Sequence, residues 1–595
     1  MSADSVKDTP VETLSEKTRL VHYQRHVNQI FGIVLHIAFF TFVLVRAILV
    51  RSRLRNNLSQ LHLYLERRLK PEKYPRSHKL AYKLFGRFDI TIPTFAQTVA
   101  VTFFTLLVLL CSTFGYTLRE DSIEYQPTAD QFVRYVATRF GVMAFAILPL
   151  LMLTAARLNV LVWLTHWTHD SWYLFHRWIG RLAWVCAITH AVLYSTYHLM
   201  HNQYWIKFTK LYWNCGILAI SLLSLMTILS VRFFRRLSYE VFLYGHIFGT
   251  IVLILALFYH SMWERANGWL YLTLICWGVD RLFRICMTSS FYPLTGRVMH
   301  FGTLMRIDVL VPANIPVRPG QFAHLRFPKV RYLESHPFSI AAVTPIQNKR
   351  GSRDASTTTF SEVEWTPLIS GREEKTASAR TQALTFLIRP FDGMTRTLSD
   401  HLISAASAIR TMDRPTPMKV YFEGAYGNEH DLRPYDSILF LAGGVGITFT
   451  LPYLLKLNES NATKSFQRIH FVWVTRALHE IESLVSFLDR IDDELREHVE
   501  IFYTGRITSI GILLDSALTP SHRYWVEQVK VGRPEIRNLL SSAVRGDEDL
   551  GSEPSSVAFL ACGTGGMLDQ CRQEVESLRA VSTASVTFIE EASTR

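Results

Sequence analysis

Up to about residue 290 the chain alternates long apolar runs with short polar ones; beyond it the runs shorten. Seven early runs lie at roughly 30–50, 97–117, 138–162, 172–198, 211–231, 239–262 and 268–287. Each approaches the about 20 residues that a helix needs to cross a bilayer. They predict a multi-pass α-helical membrane bundle of about seven spans. The third and fourth runs carry polar residues, which blurs their ends. Residues 295–345 show short alternating runs, such as Met305-Arg306-Ile307-Asp308-Val309-Leu310-Val311, which predict an antiparallel β-barrel. Residues 346–381 are rich in Ser, Thr, Lys, Arg and Glu and predict a mobile surface insertion. From about 436 the order becomes apolar strand (Ser437–Ala442), glycine turn (Gly443–Gly446) and helix (Ile447–Leu457). Further strands follow at Ile469–Thr475 and Val557–Ala561. That alternation predicts an α/β domain with a parallel sheet. The expected order is a polar segment 1–29, a membrane domain 30–290 with its core at about 138–287, a barrel 295–432 and an α/β domain 436–595.

Composition adds direction. Hydrophobic residues make up 49% of the 595, mean hydropathy is +0.14 and net charge is +13. The basic residues fall between apolar runs and form no long tail, which argues against a nucleic-acid partner. The strongly basic loop 51–96 belongs on the cytosolic side by the positive-inside rule, and the mildly acidic loop around Glu120, Asp121 and Asp130 on the other. Alternation then puts Arg232, Arg235, Arg236, Arg281 and Arg284 inside, together with everything after residue 290. The first 29 residues show no signal-peptide pattern. The seven cysteines lack CxxC spacing, so neither a zinc site nor a disulfide framework is indicated.

The fourth run holds His176 and His190, and the sixth holds His246 and His260. Fourteen helical steps return to within about 40° of the starting face and climb about 21 Å. Each pair therefore lies on one face of its helix. Runs four and six are parallel, so His176 stands level with His246 and His190 with His260. Two levels of facing imidazoles are what two six-coordinate hemes of b type require. Four tetrahedral zinc ligands would instead gather at one level. The alternative is a set of scattered membrane histidines with polar partners, of which His36, His166, His169 and His198 are examples. Arg177 and Arg181 suit heme propionates, or equally anchor the inner end of the span.

His176-Arg177-Trp178-Ile179-Gly180-Arg181, the doubled histidine spacing and Asp280-Arg281-Leu282-Phe283-Arg284 resemble the ferric reductase transmembrane family. That family includes fungal ferric/cupric reductases and the NADPH oxidases. The second half resembles the ferredoxin–NADP reductase module, an FAD-binding barrel followed by an NADPH-binding α/β domain. Arg318-Pro319-Gly320-Gln321-Phe322 is similar to the strand leading to the flavin. His336-Pro337-Phe338-Ser339-Ile340 matches the flavin motif, in which Ser339 would sit near the isoalloxazine. Gly393-Met394-Thr395-Arg396-Thr397-Leu398 is similar to the pyrophosphate turn of that family, so Gly393 and Thr395 are expected against FAD. Gly443-Gly444-Val445-Gly446-Ile447-Thr448 follows a strand and opens a helix, a place where backbone N–H groups suit a dinucleotide. In the family, the cysteine of Cys562-Gly563 approaches the nicotinamide; otherwise Cys562 is a small buried hydrophobe. Arg476, at the end of the next strand, would favour NADPH through its 2′-phosphate, or is simply solvated. Two departures stand out. Ala425 replaces a common proline in Glu423-Gly424-Ala425-Tyr426-Gly427, and no aromatic residue ends the chain after Phe588.

The resemblance implies transmembrane electron transfer from cytosolic NADPH through FAD and two hemes, with Ser339 and Cys562 at the hydride-transfer site. The expected acceptor is an Fe(III) chelate or Cu(II) outside the membrane, with dioxygen and superoxide formation as the rival. A heme-binding transporter or scaffold with a degenerate reductase half is the third reading. His198 and His201 would hold a metal or be solvated. Membrane lipid is the expected environment, in the plasma membrane. Self-association and iron or copper uptake proteins are compatible partners.

Overall fold

The computed structural model describes residues 10–51, 82–84, 88–90, 93–118, 128–157, 160–165, 167–262, 267–288, 293–332, 334–346, 381–391, 393–409, 415–460, 466–477, 479–505, 520–545, 554–579, 581–582 and 584–592. The expected insertion at 346–381 falls almost entirely outside the described residues. The chain divides into two compact units, Met1–Tyr74 with Ala81–Phe283, and Pro75–Leu80 with Arg284–Arg595.

The first unit is helical. Its long helices are α1 (Pro10–Arg51), α2 (Phe95–Thr113), α3 (Thr128–Ala155), α4 (His169–Met200), α5 (Leu211–Leu229), α6 (Tyr239–Ser261) and α7 (Asn267–Met287). They correspond to the seven apolar runs. Five of them, α1 to α3 with α5 and α6, contain stretches long and apolar enough to span a membrane by length and composition. The other two carry more charge, including Asp170, Arg177 and Arg181 in α4 and Asp280, Arg281 and Arg284 in α7. Thr94 caps α2 through a reciprocal pair with Gln97, Thr168 caps α4 and Ser238 caps α6. Side chains such as Phe103, Leu225 and Phe248 face outward at 54%, 52% and 68% exposure. Outward apolar faces of that extent suit lipid, not water.

α3 departs from the expected run 138–162. It begins ten residues earlier, and a separate helix forms at Val160–Thr165. Its polar first turns are not a loop, because Gln131 and Arg139 are wholly buried there. Arg139 ties three helices together. Its Nε donates to Asn28 Oδ1 on α1, and one terminal nitrogen donates to the Cys111 and Phe114 carbonyls at the end of α2, at 3.1 and 3.3 Å. Its guanidinium lies over the rings of Phe31 and Tyr116. The helix-end carbonyls supply negative potential where no carboxylate is in contact among the described residues.

The second unit holds the barrel and the α/β domain. The barrel strands are β1 (Leu294–Phe301), β2 (Leu304–Pro312), β3 (Phe322–Arg326), β4 (His336–Ile346), β5 (Thr381–Ile388) and β6 (Thr416–Tyr426). They close antiparallel in the order β1-β2-β5-β4-β3-β6. The α/β domain contributes β7 (Ser437–Gly443), β8 (Arg468–Thr475), β9 (Val499–Tyr503), β10 (Val529–Val531), β11 (Ser556–Gly563) and β12 (Ser585–Ala592). These form a parallel sheet in the order β10-β9-β8-β7-β11-β12. The near-continuous apolar β7 and β11 are buried except for one end residue each, Gly443 and Ser556, as a sheet covered on both faces demands.

Asp436 clasps the starts of β7 and β11. Its Oδ2 accepts from Ser555 N and Oγ at 2.9 and 2.7 Å and from Ser556 N and Oγ at 2.9 and 3.1 Å. Burial alone would raise this carboxyl's pKa, but the hydrogen bonds outweigh it and hold it below the usual carboxylate range. A carboxylate depressed in this way stabilises the fold above its unfolded pKa, and that contribution disappears as pH falls through the lower folded value. Asp436→Asn is expected to weaken the clasp by about 1–3 kcal/mol at neutral pH and to remove that acid-side dependence. Faster hydrogen exchange of the β7 amides at pH 7, with a smaller change at low pH, is the expected readout.

Candidate functional site

In the helical unit, one histidine of α4 and one of α6 come together with their rings nearly perpendicular. His190 on α4 and His260 on α6 have ring centres 6.0 Å apart, with planes at 87°. Two metal–nitrogen bonds of about 2 Å, plus about 1 Å from nitrogen to ring centre on each side, also add to about 6 Å. The separation therefore suits an iron held between the rings. His190 Nδ1 donates to the Ala137 carbonyl at 2.8 Å and His260 Nδ1 to the Tyr212 carbonyl at 2.9 Å. A carbonyl only accepts, so Nδ1 carries the hydrogen and Nε2 keeps its lone pair for a metal. Backbone carbonyls commonly orient ligand histidines in this way.

His176 and His246 form the other level and lie near enough to interact electrostatically. His176 Nδ1 donates to the Leu151 carbonyl at 3.0 Å. His246 packs on Phe242, and its buried Nδ1 has no hydrogen-bond partner among the described residues. The sequence singles out the four imidazoles but not the carbonyls that three of them face. Ala137, Leu151 and Tyr212 act through their backbones, which leave no residue-type signal.

His198 and His201 do not come together as a metal pair. His201 Nε2 contacts Asp130 Oδ2 at 2.8 Å, while His198 is buried against Trp213. Among the described residues of this unit no cluster with metal-ligand spacing includes them.

In the barrel, the His336-Pro337-Phe338-Ser339 segment is the first half of β4 and pairs with β3, placing Ser339 opposite Phe322 and Phe338 opposite Ala323. Ile340 N donates to the Gln321 carbonyl at 3.0 Å, which binds the two expected flavin segments together. His336 lies 3.5 Å from Glu334. Gly393, at φ +80°, turns the chain into helix α8 (Met394–Ile409). Thr395 Oγ1 accepts from Phe391 N at 2.9 Å in that turn. Tyr453, from the α/β domain, accepts from His430 N at 3.0 Å and stands against Gly320. Its burial pushes the phenol well above its ordinary range, so it stays neutral.

In the α/β domain the glycine turn and Cys562-Gly563 are adjacent strand ends, with Ala442 in register with Cys562. A methyl group at Gly446 would stand 2.3 Å from the Cys562 carbonyl oxygen, and one at Gly443 would stand 3.5 Å from Gly563 Cα. Gly444 has φ +54°, and Trp473 Nε1 donates to its carbonyl at 3.0 Å. Thr448 is buried, its hydroxyl donating to the Val445 carbonyl at 2.9 Å. Arg476 is exposed at the end of β8, the neighbouring strand. Phe588 sits mid-strand on β12 opposite Phe559, in the domain core. It is set back four residues from Ala592, which pairs with Gly563. At that strand end Glu591 adjoins Cys562.

Arg389 and Glu480 escaped the sequence reading. The Arg389 guanidinium lies against the Gly444 turn, and it pairs with Glu480, whose side chain is wholly buried. Glu480 also accepts from Thr475 and Thr303. Arg389 Nε is buried without a partner among the described residues. The pair joins the end of β5 to helix α9 (His479–Glu482), and so the barrel to the α/β domain. Removing one partner of a buried pair typically costs about 3–5 kcal/mol. Arg389→Ala is expected to loosen the two domains by that order, and Arg389→Met with Glu480→Gln by much less. Rates of limited proteolysis between the barrel and the α/β domain would measure it.

Comparison with known proteins bears on this geometry. The profile described as the ferric reductase like transmembrane component matches residues 140–257, across α3 to α6. The profile described as the ferric reductase NAD binding domain matches residues 435–576. Both matches are to parts of ferric reductases, one in each unit of this chain. Ferric reductase transmembrane component 3 of Saccharomyces cerevisiae is 24% identical over 84% of this chain and 67% of its own length. Ferric/cupric reductase transmembrane component 2 of the same yeast is 24% identical over 86% of this chain and 69% of its own. Ferric/cupric reductase transmembrane component 1 of Candida albicans is 23% identical over 91% and 67%. The chain thus spans about two thirds of the length of these relatives. A solved ferredoxin NADP+ reductase from Neisseria gonorrhoeae aligns with 50% of this chain and 97% of its own at 14% identity. Its TM-score of 0.29 is too low to carry an argument.

Proposed function

We propose that this chain is a ferric reductase that uses NADPH to reduce Fe(III) chelates or Cu(II) across a membrane. Its proposed parts are a membrane domain 30–290, an FAD barrel 295–432 and an NADPH domain 436–595. The observation that carries the reading is the His190–His260 pair, spaced for an iron and with both Nδ1 atoms tied to carbonyls. When bound, NADPH, FAD and two b-type hemes would supply a hydride, its division into single electrons, and their passage through lipid.

The four histidines would hold iron through Nε2, His190 and His260 at one level and His176 and His246 at the other. Arg177, near enough to Asp170 to interact with it, and Arg181, which lies over the Trp178 ring, suit propionates. The β3–β4 seam with Ser339 and Phe338 would seat the flavin ring, and the Gly393–Thr395 turn its phosphates. Gly443, Gly444 and Gly446 let the backbone approach a dinucleotide, with Thr448, Cys562 and Gly563 bordering the nicotinamide and Arg476 the 2′-phosphate. Arg389 Nε, without a partner among the described residues, offers a further donor to that anion. Phe588 lies in the sheet core, four residues before Ala592, so an aromatic partner for the flavin would be set back from the Cys562 strand end.

The basic inner loops support a cytosolic second unit, and a plasma-membrane setting is the proposal that fits an external chelate. The test is an optical spectrum of purified protein before and after NADPH under argon, followed by Fe(III)-citrate. Soret and α-band shifts on NADPH, reversed by the chelate, are expected. Reoxidation by dioxygen alone, with superoxide released, would support the oxidase reading instead. Flavin bleaching that never reaches heme would mark a degenerate reductase.

A further inference from the structure

The two histidine levels are built differently. Around His190 and His260, each supporting helix presents a carbonyl and, four residues on, a glycine. Ala137 and Gly141 on α3 face His190, while Tyr212 and Gly216 on α5 face His260. A methyl group at Gly141 would stand 2.6 Å from His190 Nδ1 and 3.0 Å from its Cε1. One at Gly216 would stand 2.6 and 2.7 Å from the same atoms of His260. Both distances are well inside van der Waals contact, and the colliding atom is the one that donates to the carbonyl. A ring moved aside would therefore lose its hydrogen bond as well as its position. The other level lacks the device. Gly180, on the helix of His176, would bring a methyl only to ordinary contact with Leu151, and a methyl at Gly245, beside His246, would meet nothing within 4 Å.

We propose that Gly141 and Gly216 are positioning residues that seat the His190 and His260 rings as iron ligands, and that they serve this level alone. The inference rests on the proposal that these histidines hold heme. Its physical content is a notch on each of two neighbouring helices, one carbonyl and one missing side chain per ring. The rings are thereby fixed before any ligand arrives, as preorganised metal ligands are. Glycine inside a helix is otherwise a cost, since alanine is the better helix former. Substitution by alanine would stabilise these helices if the notch had no use.

The experiment uses full-length protein purified in detergent, with Gly141→Ala, Gly216→Ala and, as a helix control, Gly245→Ala. Heme-to-protein ratio and the low-spin electron paramagnetic resonance spectrum are read without turnover. Wild type and Gly245→Ala are expected to hold two hemes, and each notch variant one, with one low-spin signal lost and the other unchanged. A thermal-stability cycle adds a readout independent of heme. Gly141→Ala should lower the melting temperature in the wild type and not in a His190→Gly background, where no ring is left to collide. Two hemes and unchanged spectra in both notch variants would overturn the inference, as would loss of both hemes or additive melting shifts. Wild-type protein with no Soret band would overturn the underlying heme reading instead.

Discussion

His260→Ala is expected to yield protein that holds one heme in place of two and that no longer reduces Fe(III)-citrate with NADPH. The flavin should still bleach, because the second unit has its own barrel core and its own sheet. Loss of a supporting hydrogen bond typically costs a metal site about 10–100-fold, and removal of the ligand itself should exceed that. The remaining cofactor would have to pass electrons across much of about 30 Å of hydrocarbon. Stopped-flow traces at the flavin and heme bands would separate the two halves of the path. Chelate reduction within tenfold of wild type would refute the assignment of His260.

Gly446→Ala should act at the other end. The added methyl would meet the Cys562 carbonyl at 2.3 Å, and that atom is backbone in a buried strand. Neither β7 nor β11 can yield cheaply, because each is paired on both sides. Overpacking of this kind costs about 1–3 kcal/mol, and the misfit falls where the dinucleotide is expected to lie. NADPH-driven flavin reduction should slow by about 100-fold, with FAD content and dithionite-reduced heme spectra unchanged. Unchanged flavin reduction would move the nucleotide site away from this turn.

Much of this was legible in the sequence, and the reasons differ by element. The fourteen-residue histidine spacing survives because a long apolar helix has a fixed pitch. The parallel sheet is legible because β7 and β11 are apolar on both faces. The start of α3 was not, since Thr128–Arg139 reads as polar loop until Gln131 and Arg139 find buried partners. Gly141 and Gly216 were invisible for another reason. A glycine in a helix announces missing volume but not which ring fills it. Arg389 and Glu480 lie 91 residues apart in sequence, and only folding brings them together.

Arg139 has a consequence for assembly. Lipid offers a guanidinium no solvent, so α3 cannot keep this residue in the hydrocarbon alone at little cost. Its oxygen partners come from α1 and from the end of α2. The charge therefore works as a docking check. Until those two helices arrive, the core is left with a hydration debt, and a variant with methionine there should let α1 and α2 separate from it in detergent.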